Sequence, residues 1–241
     1  MNGLWKTLSK NVGFVFFCIA MIVLLYAVAF GCEKLIEKKN GAKFAADKTK
    51  INKQVLIAML SAVALVLMYF DFPLPIAPSF YKLDFSEVPV MIGSFMLGPC
   101  AGVMIEAVKV ILHIALKGTE TAFVGDFANF IFGCAFLIPA SVIYHLHRSR
   151  KNAIIGLTVG SVVLILSGMV VNAEFLLPTY SVLYGMPMEA LIGAGTKINK
   201  NINNVYTFVA FAVAPFNLIK AVIVSVITTI LYKFLYRYIK A

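Results

Sequence analysis

The chain has 241 residues, of which 61% are hydrophobic and only 13% are charged. Soluble domains have about 45–50% apolar and about 25% charged residues, so the composition excludes an ordinary soluble protein and indicates an integral membrane protein. The long apolar runs predict helices rather than barrel strands. The net charge of +10 is better explained by cytoplasmic lysines and arginines that anchor such helices than by nucleic-acid binding.

The first apolar run covers residues 13–31 and follows Lys6 and Lys10. A secretory signal peptide begins in the same way. This run is long for a signal core, and the bulky Phe30 fits a lipoprotein cleavage site poorly. We therefore expect residues 1–31 to form a retained, additional N-terminal transmembrane helix.

Residues 32–53 form a hydrophilic segment that is rich in lysine. Its lysines are Lys34, Lys38, Lys39, Lys43, Lys48, Lys50 and Lys53. Short lysine-rich loops stay in the cytoplasm. The segment is therefore predicted to be a solvated cytoplasmic connector to the rest of the chain, residues 54–241.

A second span is predicted over residues 54–70, where Ala58 and Ala62 form a pair of small residues that permits close helix packing. In the following segment, residues 71–89, Pro73, Pro75 and Pro78 forbid a regular helix. This apolar segment is predicted to be an ordered loop that lines or caps a cavity. Its charged residues after the prolines are Lys82, Asp84 and Glu87.

Two further spans are predicted over residues 88–97 and 101–116, separated by a Gly-Pro break. The second contains Glu106 and Lys109, which share one helix face because they are three residues apart. Opposite charges inside a bundle can pair with each other. We interpret this couple as a structural ion pair rather than a functional one.

The next helix is predicted to open with Asp126 and Asn129 and to end near residue 145. A span over residues 153–173 follows and carries Asn172 at its end. All three residues are polar side chains at the end of an apolar helix, which is an expected position for ligand-binding groups.

Residues 174–203 are predicted to form a long loop because they contain two prolines and a polar stretch. The last span begins at about Val205 and carries Asn217 and Lys220 on one face. A charge in an apolar span costs about 2.5–3.5 kcal/mol. Lys220 is therefore either a ligand-binding group or a lysine that extends to the membrane surface.

The positive charges favour seven spans with the amino terminus outside. Thirteen lysines and arginines then lie in cytoplasmic segments and six in external ones. A cleaved signal peptide would reverse this bias. In this orientation the loop over residues 71–87, the polar helix ends and Lys220 all lie on the external side, which predicts a small-molecule site there.

No metal site or disulfide is predicted. The cysteines are scattered, without CxxC spacing, and are interpreted as small packing residues. They are Cys18, Cys32, Cys100 and Cys134. The histidines lack partners at ligand spacing; they are His113, His145 and His147.

Three segments in this order resemble one family: SFYKLDFSEVPVMIGSFMLGPCAGVMIEAVK, GDFANF and PFNLIKA. From about residue 54 to 240 the chain is similar to the riboflavin-binding S components (RibU) of energy-coupling factor (ECF) vitamin transporters. The resemblance implies an all-α integral membrane protein of the bacterial plasma membrane. It implies a six-helix S-component core with an external vitamin pocket, here preceded by the extra N-terminal transmembrane helix.

The resemblance also implies partners and roles for individual residues. Riboflavin would be the transported substrate and not a cofactor, and the partners would be a transmembrane T component and two ATPase subunits. Asn172, Asn217 and Lys220 would hydrogen-bond the flavin ring, whose uracil-like edge has carbonyl acceptors and an N–H. Asp126 and Asn129 would face the ribityl hydroxyl groups.

The remaining matched residues concern the loop and the partner. The loop around Lys82 and Leu83 would close over the ligand, and Ala58 and Ala62 would meet the T component. Asp126 stands where the family commonly has glutamate, so its shorter side chain departs from the pattern.

The expected function is a riboflavin-capturing subunit rather than an enzyme. The chain has no GxxxxGK[ST] loop, so ATP hydrolysis is left to the partners. An alternative is an S component for flavin mononucleotide or another vitamin. Two other classes are a membrane enzyme that uses Glu106, Lys109 or Asp126, and a scaffold that binds no ligand.

Overall fold

The fold is a bundle of helices, seen in a computed structural model that describes residues 12–40, 50–119 and 121–239. Residues 1–11 of the expected N-terminal helix, and 41–49 of the expected connector, lie outside the described residues. The first six helices are α1 (Val12–Asn40), α2 (Lys50–Tyr69), α3 (Glu87–Leu97), α4 (Pro99–Lys117), α5 (Val124–Leu146) and α6 (Arg150–Val171).

The second half of the chain contains two π-helical segments, Asn172–Leu176 and Val209–Val213, each continuous with neighbouring α-helices. The remaining helices are α7 (Leu177–Tyr184), α8 (Met188–Thr196), α9 (Val205–Phe208) and α10 (Ala214–Ile239). Two short strands, β1 (Phe72–Pro73) and β2 (Lys82–Leu83), pair antiparallel. They fold the loop between α2 and α3 back on itself.

The lengths of the helices confirm the all-α membrane architecture. Within the described residues, five helical stretches are long and apolar enough to span a membrane. They are Val12–Asn40, Pro99–Lys117, Val124–Leu146, Arg150–Leu183 and Val205–Tyr232. Two shorter apolar helices, Lys53–Tyr69 and Glu87–Leu97, complete the seven predicted apolar helices.

The predicted break between α3 and α4 lies where expected. Gly98 has a φ of 104°, a value that favours glycine, and its N–H donates to the Ser94 carbonyl at 3.0 Å. Pro99 occupies the first turn of α4, where a backbone N–H has no helical partner to lose.

Helices α5 and α6 pack closely because two glycines lie at their contact. A Cβ atom on Gly156 would be 2.5 Å from the Ala140 carbonyl oxygen, and one on Gly160 would be 2.5 Å from that of Phe136. Small residues let helix backbones approach each other in a membrane. This contact sets the separation of the two helices that carry Asn129 and Asn172.

The prediction of a connector over residues 32–53 is wrong at both ends, because the residues there are helical. Helix α1 continues through Asn40, and Lys50 already begins α2. The charged stretch stays helical because Ile36 is buried, at 3% exposure, and Lys34 pairs with Glu37 one turn away at 2.9 Å.

The predicted loop over residues 174–203 is also wrong, because most of it is helical. Pro178 lies in the first turn of α7, where proline is tolerated. Gly185 ends α7 in the left-handed conformation, and Pro187 precedes the first residue of α8. The two prolines thus mark helix starts rather than a continuous loop.

Candidate functional site

A cavity of about 240 Å³ lies between the loop that precedes α3 and helices α4, α5, α6 and α10. Six of the predicted binding residues line it: Lys82, Asp126, Asn129, Asn172, Asn217 and Lys220. Leu83 does not line it. Its side chain is 1% exposed and packs in a cluster with Ala77 and Phe216.

Lys220 is held inside the bundle by two carboxylates. Its Nζ lies 3.7 Å from Glu87 Oε1 and 3.8 Å from Asp84 Oδ2. The residue is only 8% exposed, so it does not extend to the membrane surface. The ammonium stands at the cavity wall, where a ligand acceptor could reach it.

Asp84 lies in the loop and was not among the predicted binding residues. Burial alone would raise the pKa of this carboxyl, but the ammonium groups of Lys220 and Lys109 and hydrogen bonds from Ser86 lower the pKa below its ordinary value. Asp84 therefore stays ionised and balances the charge of Lys220.

The predicted ion pair of Glu106 and Lys109 is confirmed, with Lys109 Nζ 2.7 Å from Glu106 Oε2. The same ammonium lies 3.1 Å from Glu87 Oε1. Lys109 and Lys220 therefore share Glu87. The sequence analysis noted this glutamate in the loop but predicted no role for it. Buried charges need such partners because their removal from water is costly.

Asn172 ends α6 and is completely buried. Its Nδ2 donates to the Gly168 carbonyl at 2.7 Å, and the Tyr81 hydroxyl donates to its Oδ1 at 2.5 Å. Tyr81 belongs to the loop, and its ring packs against Phe216 with centroids 5.6 Å apart. Burial raises the pKa of Tyr81 well above its ordinary value, so the hydroxyl remains a proton donor.

Asn217 faces α6 at a glycine. A Cβ atom on Gly168 would lie 2.3 Å from Asn217 Nδ2, so no larger residue leaves room for this carboxamide. The first π-helical segment directly follows Val171, and the second directly precedes Ala214. Such irregular turns often occur at functional sites. Here Asn172 is the first residue of one segment, and Asn217 follows the end of the other.

Asp126 lies in the first turn of α5 and pairs with His113 of α4, with Nδ1 and Oδ1 3.0 Å apart. His113 lines the cavity. The sequence analysis gave it no role and noted only that it lacks a partner at metal-ligand spacing. Its spacing of thirteen residues from Asp126 gives no helical signal, so only the tertiary fold brings the two together.

The cavity combines polar groups with aromatic walls. Its aromatic lining residues are Phe80, Tyr81, Phe132, Phe136, Tyr180 and Phe216. A few polar groups in an apolar pocket fix the orientation of a small molecule. Within the described residues, no group of three or more His, Cys, Asp or Glu side chains could hold a metal ion.

The predicted partner contacts lie elsewhere. Ala58 and Ala62 are both exposed on α2 and do not line the cavity. The site and this small-residue surface are therefore separate features of the bundle.

The fold and the cavity define a membrane-embedded small-molecule-binding protein. Residues 52–232 match the family described as the substrate-specific component of ECF transporters. A solved structure titled "Structure and mechanism of the S component of a bacterial ECF transporter" is similar, with a TM-score of 0.64 and 33% identity, covering 80% of this chain and 99% of that one. The chain therefore belongs to the ECF substrate-specific components.

Two relatives with curated names are similar to this chain over most of its length. Riboflavin transporter RibU of Staphylococcus aureus (strain TCH60) is 33% identical over 198 residues, covering 80% of this chain and 97% of that protein. Riboflavin transporter FmnP of Bacillus subtilis (strain 168) is 32% identical over 184 residues, covering 76% and 91%. Family membership makes this chain a transport component of a bacterial membrane and not an enzyme.

Proposed function

We propose that this chain captures riboflavin at the external face of the membrane for uptake driven by an ECF module. The observation that carries the proposal is the convergence of Asn172, Asn217 and Lys220 on one aromatic-lined cavity. An ammonium and two carboxamides suit the carbonyl and N–H groups of the flavin edge. The names of the relatives from S. aureus and B. subtilis support the same ligand.

Two further lining residues suit the ribityl chain. Asp126 and Asn129 offer a carboxylate and a carboxamide to its hydroxyl groups. In this proposal the loop with Lys82, which also lines the cavity, closes over the ligand. Asp126 is shorter than the expected glutamate, and its bond to His113 supports the carboxylate in place.

A flavin phosphate fits less well. The lysines near the opening are Lys82 and Lys117, and both lie close to Asp71, with Nζ–Oδ2 distances of 3.1 and 3.8 Å. A phosphate would have to compete with this carboxylate for both ammonium groups.

Uptake requires partners that hydrolyse ATP, since the sequence contains no phosphate-binding loop of the ATPase type. In this proposal a transmembrane T component contacts Ala58 and Ala62 on α2, and two ATPase subunits act from the cytoplasm. No cofactor has a role in this scheme, because riboflavin is the cargo.

The absorption spectrum of the protein purified in detergent from cells grown with riboflavin tests the ligand. A yellow protein with nearly equimolar flavin, released by denaturation and identified as riboflavin by chromatography, supports the proposal. A colourless protein that also fails to quench the fluorescence of added riboflavin contradicts it. Release of flavin mononucleotide instead would identify the phosphorylated ligand.

A further inference from the structure

Lys109 lies behind the wall of the cavity and is completely buried. Its ammonium is surrounded by four oxygen atoms from three parts of the fold. They are Glu106 Oε2 at 2.7 Å, Glu87 Oε1 at 3.1 Å, Ser86 Oγ at 3.1 Å and Asn129 Oδ1 at 3.3 Å. The last of these belongs to a residue that lines the cavity.

The bond to Asn129 sets the orientation of its carboxamide. A lysine ammonium has donors and no acceptor, so the oxygen of Asn129 must face Lys109. The NH₂ group is then left for the cavity. Without Lys109 the carboxamide could turn over and offer its oxygen instead, because the two orientations have almost the same shape.

The charges around Lys109 keep it in place. Glu106 lies on the same helix, Glu87 comes from α3, and Asp84 adds a further negative charge from the loop. Lys220 of α10 shares Glu87 Oε1 at 3.7 Å. Glu87, which also lines the cavity, thus stands between two lysines, of which Lys220 lines the cavity itself and Lys109 does not.

We propose that Lys109 is a positioning residue for ligand binding, which fixes the Asn129 carboxamide as a hydrogen-bond donor to the hydroxylated chain of the ligand. This inference rests on the proposed function, in which Asn129 faces the ribityl hydroxyl groups. A purely structural Lys109 would neutralise Glu106 and Glu87 and would have no separate influence on the ribityl chain.

The two roles differ in their effect on a truncated ligand. Lumiflavin has the flavin ring but a methyl group in place of the ribityl chain, so it cannot use Asn129. Dissociation constants for riboflavin and lumiflavin, measured on the full chain in detergent by flavin fluorescence, therefore separate the ring contacts from the chain contacts.

The test variant combines Lys109→Met with Glu106→Gln, so that the net charge of the cluster is unchanged. Glu106→Gln alone is its control. We expect the double variant to bind riboflavin about fivefold to tenfold more weakly, as for the loss of one oriented hydrogen bond, and lumiflavin as before. Asn129→Ala should show the same selectivity, and its combination with the double variant should add nothing further.

Lys109→Gln in the Glu106→Gln background provides a conservative rescue, because a glutamine amide can also donate to Asn129 Oδ1. It should recover part of the preference for riboflavin, and it serves as the test if the methionine variant does not fold. Equal loss for both ligands, or no loss for either, would overturn the positioning role. An unmodified protein that binds neither flavin would instead refute the proposed function, and the inference with it.

Discussion

Lys220 illustrates how a single charge in a membrane helix depends on its surroundings. The residue is compensated by Asp84 and Glu87 at 3.8 and 3.7 Å. Neither distance is that of a short hydrogen bond, so the N–H groups of the ammonium remain available to a ligand. The pairing therefore lowers the cost of burying the charge without using up its donors.

Replacing Lys220 with methionine should weaken riboflavin binding by at least tenfold, because a hydrogen bond to a charged group contributes about 1.5–3 kcal/mol. The measurement is a fluorescence titration of the purified protein. Lys197→Met is the matched control, since Lys197 is exposed and does not line the cavity. Unchanged affinity of the Lys220 variant, with the fold intact, would remove this residue from the site.

The sequence analysis found some of the cavity residues and missed others, and the difference has a physical reason. Asn172, Asn217 and Lys220 stand out because a polar residue in an apolar span needs an explanation. Tyr81 and His113 do not stand out, because a tyrosine in a loop or a histidine near a helix end is unremarkable in sequence. Their roles follow from contacts between distant segments, at 2.5 Å to Asn172 and 3.0 Å to Asp126.

At the scale of elements, hydropathy located the spans and the Gly-Pro break but failed over residues 32–40 and 174–203. Both failures have the same physical origin. Charges and prolines were taken to end helices, yet Glu33 is buried by tertiary packing and Pro178 sits in a first helical turn. Composition therefore marks the membrane-spanning part of a helix better than its ends.

The close contact of α5 and α6 depends on glycine. Gly156→Ala should lower the unfolding temperature, since its Cβ atom would lie 2.5 Å from the backbone oxygen of Ala140, which cannot rotate away. Overpacking of this kind costs about 1–3 kcal/mol. Gly31→Ala in α1 is the control because no atom lies within 4 Å of its added Cβ. Thermal unfolding in detergent should separate the two variants, and equal melting temperatures would contradict the close contact.

The exposed alanines on α2 make a different prediction. The double change of Ala58 and Ala62 to leucine should leave riboflavin affinity unchanged, because neither residue lines the cavity. It should reduce riboflavin uptake by cells and co-purification with a T component, since larger side chains keep helix backbones apart. Val162→Leu, on the exposed face of α6, is the control. Normal uptake by the alanine variant would place the partner contact elsewhere.

At the scale of the whole molecule, α1 lies outside the family match, which begins at residue 52. Aromatic contacts join Phe14 and Phe17 to Phe127 of α5. Toward its other end, Glu33 Oε2 accepts from the Cys100 N–H at 3.3 Å, and Asn40 donates to the His145 carbonyl at 2.9 Å. The helix is thus attached to the bundle along its whole length.

Glu33 is the residue whose replacement tests this attachment. It lies 7% exposed beside the first turn of α4, where a negative charge is favoured by the helix dipole, and its Oε1 is 3.7 Å from Lys53 of α2. Glu33→Gln removes the charge but keeps the shape. It should destabilise the protein by about 1–2 kcal/mol, seen as a lower unfolding temperature.

Riboflavin affinity should not change in the same variant, because Glu33 does not line the cavity. Glu189→Gln is the matched control: Glu189 is also a carboxylate in a first helical turn, but it is exposed on α8. Its melting temperature should stay close to that of the unmodified protein, because surface charges at helix ends contribute less than buried ones. If Glu33→Gln melted like this control, α1 would be an appended helix rather than a part of the bundle. If it lost riboflavin affinity instead, the N-terminal helix would act on the site, and the division between the core and its addition would have to be abandoned.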